Sequence, residues 1–287
     1  MATLGTNVTR AIAQTAQYVQ EKWTRDIQQP FDKELQIAKL VQDRSGLAAG
    51  GGDIINVPFV AGLNARAKVA STAVTYDSPE GSPIALNIDK HYYVAILIED
   101  IAKIQSNYDL KSAFQSRMGE ALARQLDTDL MALYASAGTT VAGGAVIDDA
   151  DVLAIVAAFD ASNTPAGQRR GVVGHNTKID LLGVNKYTAY DQTGDKGTAT
   201  HDDSYMPVSH IYGMDLYHSG NVAVNGGNGH NLFFHKSAIT KMEQQSPKFE
   251  MEYSVDYVGW KTVLHTVYGV GVERPASLID LTRTTAA

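Results

Sequence analysis

The chain has 287 residues, 44% of them hydrophobic and 19% charged, which suits one large folded domain or two ordinary ones. A net charge of −7 argues against a dedicated nucleic-acid binder, though not against local basic patches, and no apolar run is long enough to span a membrane. The absence of cysteine removes disulfides, thiol catalysis and zinc–cysteine sites together, and the N-terminus MATLGTNVTRAIAQ has no apolar signal core.

In chain order, residues 6–29 read as a helix with Ile12, Ala16, Val19, Trp23 and Ile27 on one face, ended by Pro30. A second amphipathic piece runs from Asp32 to Asp43, and the glycine run within 45–53 reads as a hinge. The first fifty residues are therefore expected to form an arm separable from the body, with an N-terminal helix packed on the same domain as the plainer alternative. From Ile54 the hydrophobic period changes to two. DIINVPFV (53–60) and RAKVASTAVTYD (66–77) read as strands, followed by a turn-forming cluster over 74–83. PIALNIDKHYYVAILIED (83–100) reads as one strand, half exposed at its start and buried on both faces at its end. Such a gradient predicts a protruding hairpin rooted in the core, marginal without a partner surface.

Residues Asn107–Ala137 contain no proline, and most are good helix formers. They predict a helix of about 45 Å. Its apolar ladder (Leu110, Phe114, Met118, Leu122, Leu126, Leu130) steps by fours, so the buried face turns along the rod and meets different neighbours at its two ends. Arg117, Glu120, Arg124 and Asp127 are placed on the opposite face, with Glu120 and Arg124 spaced to pair. Beyond it, Asp148 or Asp149 can cap a helix DADVLAIVAAFD, and GVVGH reads as a short buried strand before the helix NTKIDLLGV. Residues 185–206 read as a polar loop. Strands are expected at 211–219, 231–239 and 248–260, then in KTVLHTVYGVGVERP, broken by its glycines, and in ASLIDLT. Tyrosines (14) outnumber phenylalanines (7), which suits faces that are partly wet or pressed against other subunits.

The chemistry is sparse. No phosphate loop, dinucleotide fingerprint or nucleophile elbow occurs. His201, Asp202, Asp203 and His210 could gather a metal only across Pro207 and without helical spacing. No catalytic, cofactor or metal residues are assigned, and no cofactor is expected. A metal enzyme or hydrolase using His201, Asp203 and His210 stands as a rival, testable by alanine at those positions. A soluble α+β domain of another role is the plainer alternative.

An arm, a hairpin, then IEDIxxIQSNYDL (98–110) leading into a long helix with ALARxLD (121–127) resembles a tailed-bacteriophage major capsid protein. HKSAI (235–239), YGVGVERPAS (268–277) and IYGMDLYHS (211–219) are similar to further strands of that family, in the same order. The resemblance implies the α+β Hong Kong 97-type fold: an N-terminal arm (1–52), an extended loop hairpin (53–98), a peripheral domain on a spine helix (99–137 plus 236–287) and an axial α/β domain (138–235). It implies self-assembly into pentamers and hexamers of an icosahedral virion shell around double-stranded DNA, put together in the host bacterial cytoplasm. Portal, decoration and separate scaffolding proteins are the further partners implied, with no membrane involved and no large processing step. An encapsulin compartment resembles the same fold and is the nearer alternative. Inter-subunit contacts through arm and loop are expected at Trp23, Phe31, Arg66, Lys68, Tyr76, Glu80 and His91. Lys68 lies on the loop, but no full Lys–Asn–Glu set for cross-linking can be matched. The acidic wall is expected to confine DNA without gripping it, and deletion of residues 1–45 to hurt assembly more than the fold of the body.

Overall fold

The computed structural model describes residues 36–48, 50–58, 65–74, 76, 81, 83–100, 110–188 and 205–284. The helix expected over 6–29 lies outside them. In chain order the elements begin with α1 (Ile37–Leu40), β1 (Gln42–Asp43), α2 (Ser45–Ala48), β2 (Ile54–Val57), β3 (Ile84–Asn87) and β4 (Lys90–Glu99). The long helix α3 (Leu110–Met131) follows, then a 3₁₀ turn (Ala132–Ser136), β5 (Thr139–Ala142), α4 (Asp149–Ala161), β6 (Arg169–Val173), α5 (His175–Gly183) and α6 (Asn185–Thr188). The chain closes with β7 (Tyr205–Ile211), β8 (Met214–His218), β9 (Ala223–Asn225), β10 (Asn228–His235), β11 (Ile239–Ser254), β12 (Gly259–Val272) and β13 (Leu278–Thr284).

The strands form a four-stranded sheet, β1-β11-β12-β4, a seven-stranded sheet, β5-β13-β10-β6-β8-β7 with β9 beside β10, and the two-stranded β2–β3 ribbon. Helix α3 joins the two larger sheets. Its Met118 and Leu122 pack on the smaller sheet, against Leu264, Tyr92, Val94, Ile96 and Phe249. One end further on, Leu130 and Met131 enter a different cluster with Ile37, Leu40, Phe234 and Leu278. The ladder of fours thus turns from one core to the next, as its period requires. The described helix, Leu110–Met131, spans about 33 Å, and its last turn tightens to 3₁₀ after Met131, short of Ala137; residues 107–109 lie outside the described residues. Glu120 pairs with Arg117 at 2.7 Å, three positions back, rather than with Arg124.

The larger sheet is covered on both faces. Phe233 turns to α4 and α5, among Ile155, Phe159, Leu181 and Leu216. Its neighbours Leu232 and Phe234 turn to α3. That is why NLFF reads as a continuous apolar run. Helix α4 starts as its sequence predicts: the Asp148 side chain accepts the backbone N–H groups of Ala150 and Asp151, and Asp151 returns a bond to the Asp148 amide. No helix among the described residues is long and apolar enough to cross a membrane.

Several expectations are corrected. Residues 83–100 are two strands, not one. The chain breaks at Ile88 and Asp89, so β3 joins the ribbon and β4 the edge of the smaller sheet. Strand β4 alternates along its whole length, with Tyr93 and Leu97 exposed, because an edge strand covered on one side has only one buried face. Among residues 65–74 no strand forms. Segment 211–219 is a hairpin corner in which Tyr212 (φ 48°) and Gly213 (φ 79°) reverse the chain between β7 and β8. Strand β12 is unbroken by its glycines. Strand β13 pairs with β10 and β5 in the larger sheet, instead of returning with β11 and β12 to the smaller one. The polar loop expected from 185 opens with α6.

Candidate inter-subunit surfaces

The hairpin root is set by glycine. Strand β12 carries Gly269 and Gly271 where the β3–β4 connection crosses it. A Cβ at Gly269 would lie 2.2 Å from the Asn87 carbonyl oxygen, and one at Gly271 2.6 Å from a Leu86 methyl. The backbones approach where no side chain fits. Leu86 and Ile88 then close a small cluster with Ala48 and Met242, and the Ile88 amide donates to the Asp53 carbonyl at 2.8 Å. From this root β2 and β3 run antiparallel, Ile54 opposite Asn87 and Val57 opposite Ile84.

Beyond the ribbon the described loop residues face solvent. Tyr76 is 88% exposed, and Val69 and Val74 are exposed as well. Arg66 and Lys68 share that exposure. The Lys68 ammonium donates to the carbonyls of Val69 (3.0 Å) and Thr72, and so closes a turn of the loop itself. His91 lies elsewhere, on the exposed face of β4, edge-on to His265 of β12 with ring centroids 5.7 Å apart. The structure thus has Arg66, Lys68 and Tyr76 exposed on the loop and His91 on strand β4. Trp23, Phe31 and Glu80 lie outside the described residues.

The anchor of the arm is internal. Ile37, Leu40 and Val41 are buried, β1 pairs parallel with β11, and Asp127 of α3 accepts the Ala38 amide at 3.2 Å. Residues 36–48, expected in a separable arm, are part of the body because their apolar side chains complete the core under α3. Asp127 itself, expected on the polar face of the helix, is 0% exposed. Burial pushes its carboxyl up to about 6, against the pull of the Ala38, Gln36 and Ile37 amides and the Lys39 charge. Arg44 adds a second clamp: its guanidinium grips Glu273 at 2.6 and 2.8 Å, and Thr240 Oγ1 donates to the same carboxylate at 2.5 Å. Burial raises the Glu273 carboxyl, but these hydrogen bonds outweigh it and hold it below the usual range.

One exposed apolar feature escapes periodicity arguments, the turn between β11 and β12. Val255 is 79% exposed, with Tyr257 and Val258 also in solvent. Clean alternation in KFEMEYSVDYVGW pointed to a strand. The signal for its end was the lone Gly259, which sits where a Cβ would meet the Ile98 carbonyl oxygen at 2.7 Å.

Of the residues considered for metal or hydrolytic chemistry, only His210 is among the described residues. His210 pairs with Asp215 across the β7–β8 hairpin at 2.9 Å, both exposed, while His201 and Asp203 lie outside the described residues. No group of three or more metal-ligating side chains exists among the described residues.

A sequence model described as phage capsid protein matches residues 87–281, more than half of the chain. The chain belongs to the phage capsid protein family. It is a tailed-phage major capsid protein, a structural shell component of the virion, and its relatives assemble into capsid shells. Solved structures give the same fold, the Hong Kong 97 type. One from Mycobacterium phage Che8 is 22% identical with a TM-score of 0.80, over 94% of this chain and 98% of that one. The capsid structure of cyanophage P-SCSP1u is 19% identical with a TM-score of 0.73, over 95% and 94%. The capsid of an empty GTA particle is 12% identical with a TM-score of 0.71, over 99% and 100%. A search of curated proteins returned no match. The capsid reading thus stands, and the encapsulin alternative has no support in these comparisons. In this capsid protein the described loop residues Val69, Val74 and Tyr76 and the β11–β12 turn are exposed apolar features.

Proposed function

We propose that this capsid protein assembles into pentamers and hexamers that close an icosahedral shell around double-stranded DNA in the host cytoplasm, without enzymatic activity of its own. The observation that carries this reading is the β2–β3 ribbon. It is rooted by a glycine crossing, yet the described residues beyond it bury no core, with Tyr76, Val69 and Val74 in solvent. A segment held so firmly at its base and so bare beyond it gains its stability from another subunit. Residues Arg66, Lys68 and Tyr76 would lie over a neighbour, and His91 would meet one along the exposed edge of β4. Trp23, Phe31 and Glu80 are assigned to the same contacts through arm and loop. The domain division follows the same logic, with the peripheral part on the smaller sheet and α3, and the axial part on the larger sheet, which also takes β13. Scaffolding, portal and decoration proteins are the remaining partners of this reading.

Negative-stain electron microscopy with light scattering tests it directly. Purified protein is expected to show closed shells or rings of five and six subunits. Protein in which residues 58–83 are replaced by an Asn-Gly turn between Val57 and Ile84 is expected to stay small while keeping the melting behaviour of the body. Shells formed equally well by that variant would remove the loop from assembly.

A further inference from the structure

The search for unassigned sites ends at an open cleft of about 650 Å³ between the α1–β1 segment and the β10–β11 corner. Lys39, Lys236 and Lys241 line it together with the Ser237 hydroxyl, and Asp43 is its one acidic lining residue. Lys241 is already shared between Asp43 at 3.4 Å and Glu243 at 3.2 Å. Among the described residues neither Lys39 nor Lys236 forms an ion pair. Lys39 is felt at longer range by Asp127.

The ground behind the cleft is positive too. Arg170 donates to the Leu40 carbonyl at the end of α1, and its Nε is buried without a partner. His235, which faces Ser237 at 2.8 Å, is pushed down first by burial and then by the charges of Arg274, Arg169 and Arg170. Arg169 is itself paired with Asp160 at 2.8 Å, so the recess's own charge comes from Lys39 and Lys236.

We propose that this cleft binds phosphate groups, with Lys39 and Lys236 supplying the charge. Lysines are compact point charges that bind phosphate oxygens without the fixed geometry of an arginine fork. Lysine and serine side chains are also the usual holders of a nucleic-acid backbone, which they grip without reading sequence. The recess is wide open, which suits a strand lying across it better than an enclosed small molecule. The phosphates have two sources, the backbone of double-stranded DNA and free inorganic phosphate. The DNA source rests on the proposed genome-enclosing function and replaces the expectation that the wall confines DNA without gripping it; the site itself rests on neither.

The experiment uses the full chain, with Lys39→Gln/Lys236→Gln as the test pair and Lys178→Gln/Lys261→Gln as a pair of equal charge change away from the cleft. Thermal melts confirm that each folds. Binding of a short fluorescent duplex is followed by anisotropy across a salt series, and binding of inorganic phosphate by calorimetry. The test pair is expected to weaken duplex binding about tenfold at ~50 mM salt and to flatten the salt slope by about 1.8, with the control pair within about twofold of the unaltered protein. Phosphate binding lost in the test pair, with no duplex binding in any protein, would support the site and assign it to free phosphate. Binding of neither probe by the unaltered protein, or an equal loss in the control pair, would overturn the proposal. So would failed shell closure in the test pair without phosphate binding in the unaltered protein, which would assign the lysines to contacts between copies. Shells are scored separately by microscopy, so closed shells without duplex or phosphate binding would sink the cleft and leave the shell function standing.

Discussion

The carboxylate of Asp127, within the long helix α3, accepts the backbone N–H of Ala38, 89 positions earlier in the chain, at 3.2 Å. A helix residue thereby holds the first described turn of the chain, and does so with a charge removed from water. Desolvation wins over the hydrogen bonds, so the folded carboxyl titrates at about 6 instead of 3.8.

The sign of this shift makes a pH prediction. A raised carboxyl favours the protonated form in the fold, so its contribution is fully present below 3.8 and is lost as pH rises through about 6. Two pH units correspond to about 3 kcal/mol. Asp127→Asn keeps an acceptor for the Ala38 amide and removes the charge. It is expected to raise the Tm at pH 7.5 by several degrees and to flatten the pH dependence between pH 4 and 7, read by calorimetry. A lower Tm for this variant at pH 7.5 would mean that the charge itself holds the turn.

Arg44 and Glu273 answer to the opposite sign. The Glu273 carboxyl is depressed, so its stabilisation is present above 4.5 and lost as pH falls through its folded value. Arg44→Met leaves a buried carboxylate with Thr240 alone, and is expected to cost about 2–3 kcal/mol in urea unfolding at pH 7. Combining it with Glu273→Met is expected to recover most of that loss. Additive losses in the double variant would deny the coupling.

Gly269 is expected to tolerate no side chain. In Gly269→Ala the new methyl meets the Asn87 carbonyl, and parting the crossing strands is expected to cost about 2 kcal/mol or more. Gly229→Ala in β10 is the comparison, since its Cβ would find nothing nearer than the Arg283 oxygen at 3.8 Å. Limited proteolysis of the loop is expected to accelerate in the first variant alone.

Truncation separates arm from body. Removing residues 1–35 is expected to impair shell closure and leave the melt of the body nearly unchanged. Removing residues 1–45 also takes Ile37, Leu40 and Arg44 out of the core and is expected to lower the Tm sharply. The expectation that the longer deletion would spare the body is thus revised. Equal melts for the two truncations would return α1 to the arm.

How much was legible before the structure depended on range. The helices α3 and α4 were readable because a 3.6-residue period and a capping box are local facts, decided by neighbours three and four apart. The hairpin was readable from a period of two. The break at Ile88–Asp89 was not, because it arises where Gly269 lets another strand pass, nearly two hundred positions away. Of the expected contact residues, Arg66, Lys68, Tyr76 and His91 are exposed, and Trp23, Phe31 and Glu80 lie outside the described residues.

By itself the sequence determined the order of elements, the turning apolar face of α3 and, through motifs spread along the chain, the capsid family. Tertiary structure decided what no local pattern encodes: that β13 joins the larger sheet, that α1 belongs to the core, and that Asp127 faces inward. Each of these turns on pairing or burial between residues far apart in the chain. There the free energy lies in excluded water and shared hydrogen bonds, and no neighbouring residue carries that information.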